Sequence, residues 1–188
     1  MRKLVSLIHL SLDGFCAGPK GEIDWVSINP AIFDDADRVI QMAGAAVYGR
    51  TTYDMMRGYW PGVLKDDKAP QDRRAHARWV EEIEKFPFSR TLGQTDWNNV
   101  HLKHDAKDIL ELKQRPGKNL LIFGSPGLVK SFQALDAIDE YWMFLNPVLL
   151  GAGIRFFEDA HKARFRIAEA RRLDPDVMRF HYVREEQS

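Results

Sequence analysis

Apolar and polar positions along this chain fall into two kinds of pattern, continuous hydrophobic runs and stripes at helical spacing. Lys3 to Leu12 is rich in Val, Ile and Leu with few polar breaks, as expected of a strand buried on both faces in the middle of a sheet. Gly14 to Pro30 is dominated by glycine, proline and polar residues and predicts a long loop carrying Asp24 and Trp25. Asn29-Pro30 then opens a helix to about Met42, with Ile32, Phe33, Ala36, Val39, Ile40 and Ala43 as its apolar stripe and Gly44 as its stop. Ala45 to Tyr48 reads as a short buried strand, and Gly49-Arg50-Thr51-Thr52 turns directly into a helix through about Met56. Arg57 to Pro70 reads as loop. Gln71 to Lys85 predicts a charged surface helix with Trp79, Val80 and Ile83 on one side, and Phe86 to Thr91 a strand that ends in Ser89-Arg90-Thr91. Asn99 to Leu102 suggests a further short strand, and Asp105 to Gln114 a helix closed by Pro116-Gly117.

The segment Asn119 to Phe132, NLLIFGSPGLVKSF, repeats the strand, turn, helix pattern. Leu120 to Phe123 is the strand, Ser125 a suitable N-cap, Pro126 a suitable first helical residue, and Leu128, Val129 and Phe132 the helix face. Glu140 to Leu145 is strand-like, and the following NPVLLGAG loop, Asn146 to Gly153, has an apolar middle that suggests burial. Arg164 to Arg172 and Val177 to Arg184 alternate and form an expected antiparallel hairpin across Leu173-Asp174-Pro175-Asp176. Alternating strands and helices closed by a hairpin give an α/β class with a mostly parallel sheet and an antiparallel edge. No internal repeat or linker divides the chain, so residues 1–188 read as a single domain.

Composition narrows the function more than the fold. Lys plus Arg and Asp plus Glu both count 27, so no basic excess points to nucleic acid or an acidic membrane surface, and the expected partner is a small molecule. No apolar run approaches the ~20 residues that span a bilayer. Cys16 is a lone cysteine, which excludes an intrachain disulfide and fits a reducing cytoplasm. The six histidines (His9, His76, His101, His104, His161 and His181) show no metal-ligand spacing, and no metal is expected.

Chemistry concentrates at strand ends. The turns at Gly49 and Gly124 both lead into helices, whose N-termini favour anions and above all phosphates. Arg50 and Arg90, with hydroxyls from Thr51, Thr52, Ser89 and Thr91, are suited to an additional phosphate through charge-assisted bonds. In open α/β sheets such pieces meet in the crevice beyond the carboxyl ends of the strands. Neither GxGxxG nor GxxxxGK[ST] occurs, so an ordinary dinucleotide fingerprint or P-loop is excluded. Asp34, Asp35 and Asp37 lie where acids favour a helix macrodipole, Asp13 beside Gly14 fits turn chemistry or a ligand role, and Trp25 either walls a planar ligand or pins its loop.

Five segments together resemble the dihydrofolate reductase fold, in the branch containing the reductase domain of bacterial riboflavin biosynthesis. They are SLDGF (Ser11 to Phe15), GRTTYDMM (Gly49 to Met56), FSRTL (Phe88 to Leu92), LLIFGSPGL (Leu120 to Leu128) and DEYWMFLNPVLLGAG (Asp139 to Gly153). The resemblance implies a three-layer dihydrofolate reductase-like domain that binds NADPH. Gly49, Arg50, Thr51 and Thr52 match the turn facing the adenosine phosphates, and Ser89, Arg90 and Thr91 the strand end holding the 2′-phosphate. Phe123 leads into Gly124, Ser125, Pro126, Gly127 and Leu128, which match the turn under the pyrophosphate, with Ser125 where the family usually has a second glycine. The implied activity is hydride transfer to a small pterin-like, pyrimidine-like or carbonyl compound. Its pocket would be floored by the first strand, where His9 lies, and walled by Trp25 and by Phe33 of the first helix. Asp13 or Asp34 is the expected proton source. A module that binds NADP(H) without turnover, a sensor for instance, is the alternative. Members of the branch are commonly dimers, and the apolar NPVLLGAGIRFF segment fits a homodimer contact.

Overall fold

The computed structural model describes residues 1–157, 162–173 and 176–185. His161, and Asp174 and Pro175 of the expected hairpin turn, lie outside the described residues. The apolar run at the start forms β1 (Leu4–Leu10), and because both its faces are covered it sits at the centre of a seven-stranded sheet. Across the sheet the strands run β4 (Glu84–Phe88), β3 (Ala43–Gly49), β5 (Asn119–Phe123), β1, β6 (Glu140–Leu145), β9 (Val177–Arg184) and β8 (Phe165–Leu173). The pairs from β4 through β6 are parallel, and β9 and β8 add an antiparallel edge.

Helices cover both faces and make three layers. On one face α1 (Pro30–Gln41), α2 (Arg50–Lys65) and α3 (Gln71–Glu82) bury Ile32, Val39, Ile40, Tyr53, Met56 and Val80 against Val5, Leu7, Ala46 and Leu121. On the other, α4 (Asp108–Gln114) and α5 (Pro126–Gln133) bury Ile109, Leu112, Val129 and Phe132 against Leu4, Ile8, Leu120 and Ile122. Asn29 caps α1 as its side chain accepts from Ile32 N–H at 3.0 Å, with Pro30 at the helix start.

Four sequence expectations need correction. The segment read as loop from Arg57 is helix as far as Lys65, with Pro61 inside it. Gly58, Pro61 and Gly62 look like breakers, but Tyr53, Met56 and Trp60 recur on one face, and their packing against the sheet and α3 outweighs local propensity. The long loop after β1 contains β2 (Phe15–Ala17), paired antiparallel with β7 (Ile154–Arg155). There Gly153 has φ +153°, and a Cβ would stand 2.2 Å from the Ala17 carbonyl oxygen, so the ribbon closes only on glycine. The Asn99 to Leu102 segment contributes isolated bridges in place of a strand, Lys85 with Val100 and, just past it, Phe88 with Lys103. Finally, the apolar middle of the NPVLLGAG loop is not buried in the single chain: Leu149 is 71% exposed while Asn146 is fully enclosed.

Candidate functional site

The two strand-to-helix turns singled out in the sequence are neighbours, because β3 and β5 pair in parallel and both end at the same edge of the sheet. One hydroxyl joins them. Ser125 Oγ accepts from Gly49 N–H at 2.9 Å, donates to the Phe123 carbonyl at 2.9 Å, and lies 2.9 Å from Thr52 Oγ1. Gly124 and Ser125 both have left-handed backbones, φ +52° and +56°. For serine that conformation costs on the order of 1 kcal/mol, so the cap expected of Ser125 is replaced by a strained corner whose hydroxyl ties β5 to β3. A Cβ on Gly49 would stand 3.2 Å from that hydroxyl, which accounts for the glycine.

Cationic and hydroxyl groups flank these turns. Arg50 Nε donates to Asp54 Oδ2 at 2.6 Å within α2, on the exposed side. Ser89 Oγ accepts from Thr91 N–H and Leu92 N–H at 3.2 and 3.0 Å, fixing a turn on which Arg90 is exposed. His104 Nδ1 bonds the Ser89 carbonyl at 2.8 Å, and Lys103 N–H donates to the Pro87 carbonyl, so Lys103 and His104 run beside the same turn. Pro126, Gly127 and Leu128 start α5 beyond Ser125. Two helix starts, two arginines and a row of hydroxyls are a donor set suited to phosphate groups.

The end of β1 is bound to the segment after β6. Asp13 accepts from Ser11 Oγ at 2.6 Å and from the N–H groups of Leu150 and Gly151, at 3.2 and 2.8 Å. The Ser11 hydroxyl, with those amides, holds the Asp13 carboxyl down at about 2. Asn146, which the sequence reading gave no role, closes the junction. Its Nδ2 donates to the Phe144 carbonyl at 3.0 Å, and its Oδ1 accepts from Ser27 N–H at 3.0 Å. The loop carrying Trp25 is therefore fastened over the ends of β1 and β6. Trp25, half-buried, donates from Nε1 to the Glu22 carbonyl within that loop. His9 stacks on Phe144 at 4.8 Å, and burial pushes its imidazole down to about 4, leaving it neutral.

On α1 the acids divide. Asp34 is exposed, whereas Asp35 is buried and accepts from Arg179 Nε at 2.7 Å. Arg38 and Arg171 each reach Asp35 at 3.4 Å, and Arg179 Nη2 also donates to Glu169 at 2.9 Å. Sequence reasoning missed this cluster, since three acids on one helix look alike until the helix is docked. Phe33 is half-buried and meets the ring of His76 on α3 edge-on at 6.1 Å.

Residues 2–179 match the family described as the RibD C-terminal domain. The chain belongs to that family. Among relatives of this RibD C-terminal domain, the uncharacterized protein YwjB of Bacillus subtilis is 30% identical over 186 residues, 97% of this chain and 98% of that protein. A Shewanella sp. PV-4 protein named for riboflavin biosynthesis superposes with a TM-score of 0.76 at 23% identity, over 98% of this chain and 99% of its own. Dihydrofolate reductase from Enterococcus faecalis, solved as a complex with NADP(H), gives 0.66 at 13% identity, over 98% of this chain and 97% of its own. The RibD-like, dihydrofolate reductase-like fold expected from the five motifs is thus the fold observed.

Proposed function

We propose that this chain is an NADPH-dependent reductase of a small heterocyclic, pterin- or pyrimidine-like, or carbonyl compound. The observation that carries the reading is the Ser125 bridge, which sets the Gly49 and Gly124 turns side by side next to Arg50 and Arg90. NADPH, when bound, supplies the hydride. The chain supplies the rest. Gly49 through Thr52 and Phe123 through Leu128 hold the pyrophosphate side, and Ser89, Arg90 and Thr91 hold the 2′-phosphate. The β1 end, with neutral His9, floors the acceptor pocket, while Trp25 and Phe33 wall it.

Asp13 is assigned a positioning role in place of the proton donor expected from the sequence, because a carboxyl held at about 2 carries no proton at neutral pH. Asp34, exposed on α1, is left as the weaker candidate, and solvent water delivers the proton on this reading. The fastening of Asp13 by Ser11 and the Leu150 and Gly151 amides also favours one second reading, an NADP(H)-binding module without turnover. A homodimer is part of the proposal. Leu149, Ile154 and Phe157 are exposed along the apolar segment after β6, and a second copy would cover them. A cytoplasmic setting, where the cofactor is abundant, suits the lone buried thiol.

Fluorescence titration with NADPH and NADH tests the reading. Arg90→Ala is expected to weaken NADPH by about tenfold and NADH far less, as loss of a charge-assisted phosphate contact requires. Absence of NADPH binding at ~1 mM overturns the cofactor assignment. Consumption of bound NADPH with an acceptor panel separates reductase from module.

A further inference from the structure

The α2–α3 pair brings aromatic rings that the family motifs do not include to the ends of β3 and β5. His76 on α3 lies 4.3 Å from the ring of Trp60 on α2 and 5.7 Å from Trp79, one turn further along α3. Trp79 meets Phe123 edge-on at 6.0 Å, and Phe123 packs at 5.8 Å on Tyr48. With Phe33 on α1, the rings form a continuous wall from the first helix to the residue preceding Gly124. Phe33, Trp60, Trp79 and Phe123 are half-exposed, while His76 and Tyr48 are buried among them.

Two buried polar atoms in this wall, His76 Nδ1 and Tyr48 Oη, have no hydrogen-bond partner among the described residues. An unpaired polar atom in such a place is costly in the free protein and is satisfied by a ligand that brings its own donor or acceptor. Burial pushes His76 down to about 4, so its imidazole is neutral. Apart from Arg78, which is exposed on α3, the guanidinium groups of the three elements are engaged within the chain. Arg38 bonds Asp35, Arg57 bonds Asp96, and Arg73 donates to the Tyr59 hydroxyl. The wall itself offers ring faces and neutral hydrogen-bonding groups.

Resting on the reductase reading, we infer that the acceptor is a flat, uncharged aromatic or heteroaromatic compound without a phosphate. It stacks against Trp79 and Phe33 and hydrogen-bonds His76 Nδ1. Trp79 and His76 are thus specificity-determining residues on α3, whose sequence is that of a charged surface helix. In the reaction this implies, the ring accepts one hydride from NADPH and one proton from water, leaving NADP+ and the dihydro product.

Calorimetric titration of the cofactor-free protein with 7,8-dihydropterin, menadione and uridine 5′-phosphate tests the inference. Both flat neutral probes are expected to bind more tightly than uridine 5′-phosphate. Trp79→Ala should weaken both about three- to tenfold, the range for loss of one aromatic stacking partner, and Trp79→Phe by less than about twofold. His76→Phe should weaken 7,8-dihydropterin, whose ring edge carries hydrogen-bonding groups. The inference is overturned if neither flat probe binds at ~1 mM, if Trp79→Ala leaves affinity within about twofold in a protein folded by circular dichroism, or if the phosphorylated probe binds best. An NADPH titration of the same preparations keeps the two readings apart. Binding of NADPH without either flat probe defeats the ring pocket alone, and binding of a flat probe without NADPH defeats the reductase reading.

Discussion

Removing the Asp35 carboxylate should be among the most damaging single changes outside the hydrophobic core. Arg179 is fully buried, lies 4.6 Å over the Trp142 ring, and bonds Asp35 through Nε. Asp35→Ala strips that guanidinium of its main partner and removes the ion pairs of Arg38 and Arg171 with Asp35, with Glu169 at 2.9 Å left as the carboxylate on Arg179 among the described residues. Breaking a buried pair from one side costs about 3–5 kcal/mol, because a charge stays in a site that no longer compensates it. With a urea dependence of about 2 kcal/mol/M, the unfolding midpoint should fall by roughly 1.5–2.5 M. Arg179→Met should cost less, since Asp35 keeps two half-exposed guanidinium groups. Combining Asp35→Ala with Arg179→Met should cost about 2 kcal/mol less than the sum of the two single changes, because the sites are coupled. Urea melts followed by tryptophan fluorescence read all four proteins. A midpoint shift under about 0.5 M for Asp35→Ala, or strictly additive costs in the double variant, would show that the cluster is solvated and refute the reasoning.

Two further outcomes are expected. His76 takes up its proton near 6.5 when unfolded but only at about 4 in the folded chain, so between those values the unfolded state binds more protons, and stability is lost as pH falls from 6.5 toward 4. That loss amounts to about 3 kcal/mol at most, and His76→Phe should lack it; equal slopes for the two proteins over this window in paired urea melts would contradict the buried neutral imidazole. Asp13→Asn should raise hydrogen exchange at the Leu150 and Gly151 amides while leaving the shape of any kcat against pH profile unchanged, and a lost acidic limb would return Asp13 to proton transfer.

What the sequence disclosed and what it hid follow from the range of the forces involved. The apolar run of β1, with few polar breaks, could only be a central strand, and Asn29-Pro30 could only open a helix, because both signals are local. The turn at Gly49 and the turn at Gly124 were each legible; their contact was not, since it depends on β3 pairing with β5 and on one hydroxyl 76 residues away in the chain. Asp35 differs from Asp34 and Asp37 only by its angle around α1, and its partner Arg179 lies 144 residues further on. The continuation of α2 through Pro61 was hidden for the opposite reason. Its local residues speak for a turn, and only the sheet and α3, which receive Tyr53, Met56 and Trp60, overrule them.

The Ser125 corner has a consequence for how this crevice can change over time. Because a single side chain fastens the two turns, neither can be altered independently: a bulkier residue at 49 presses on the hydroxyl, and a residue other than serine at 125 leaves the Gly49 amide without its acceptor. Drift at one turn must be answered at the other. Across descendants of this chain, positions 49, 52 and 125 should therefore be exchanged as a set or kept as a set.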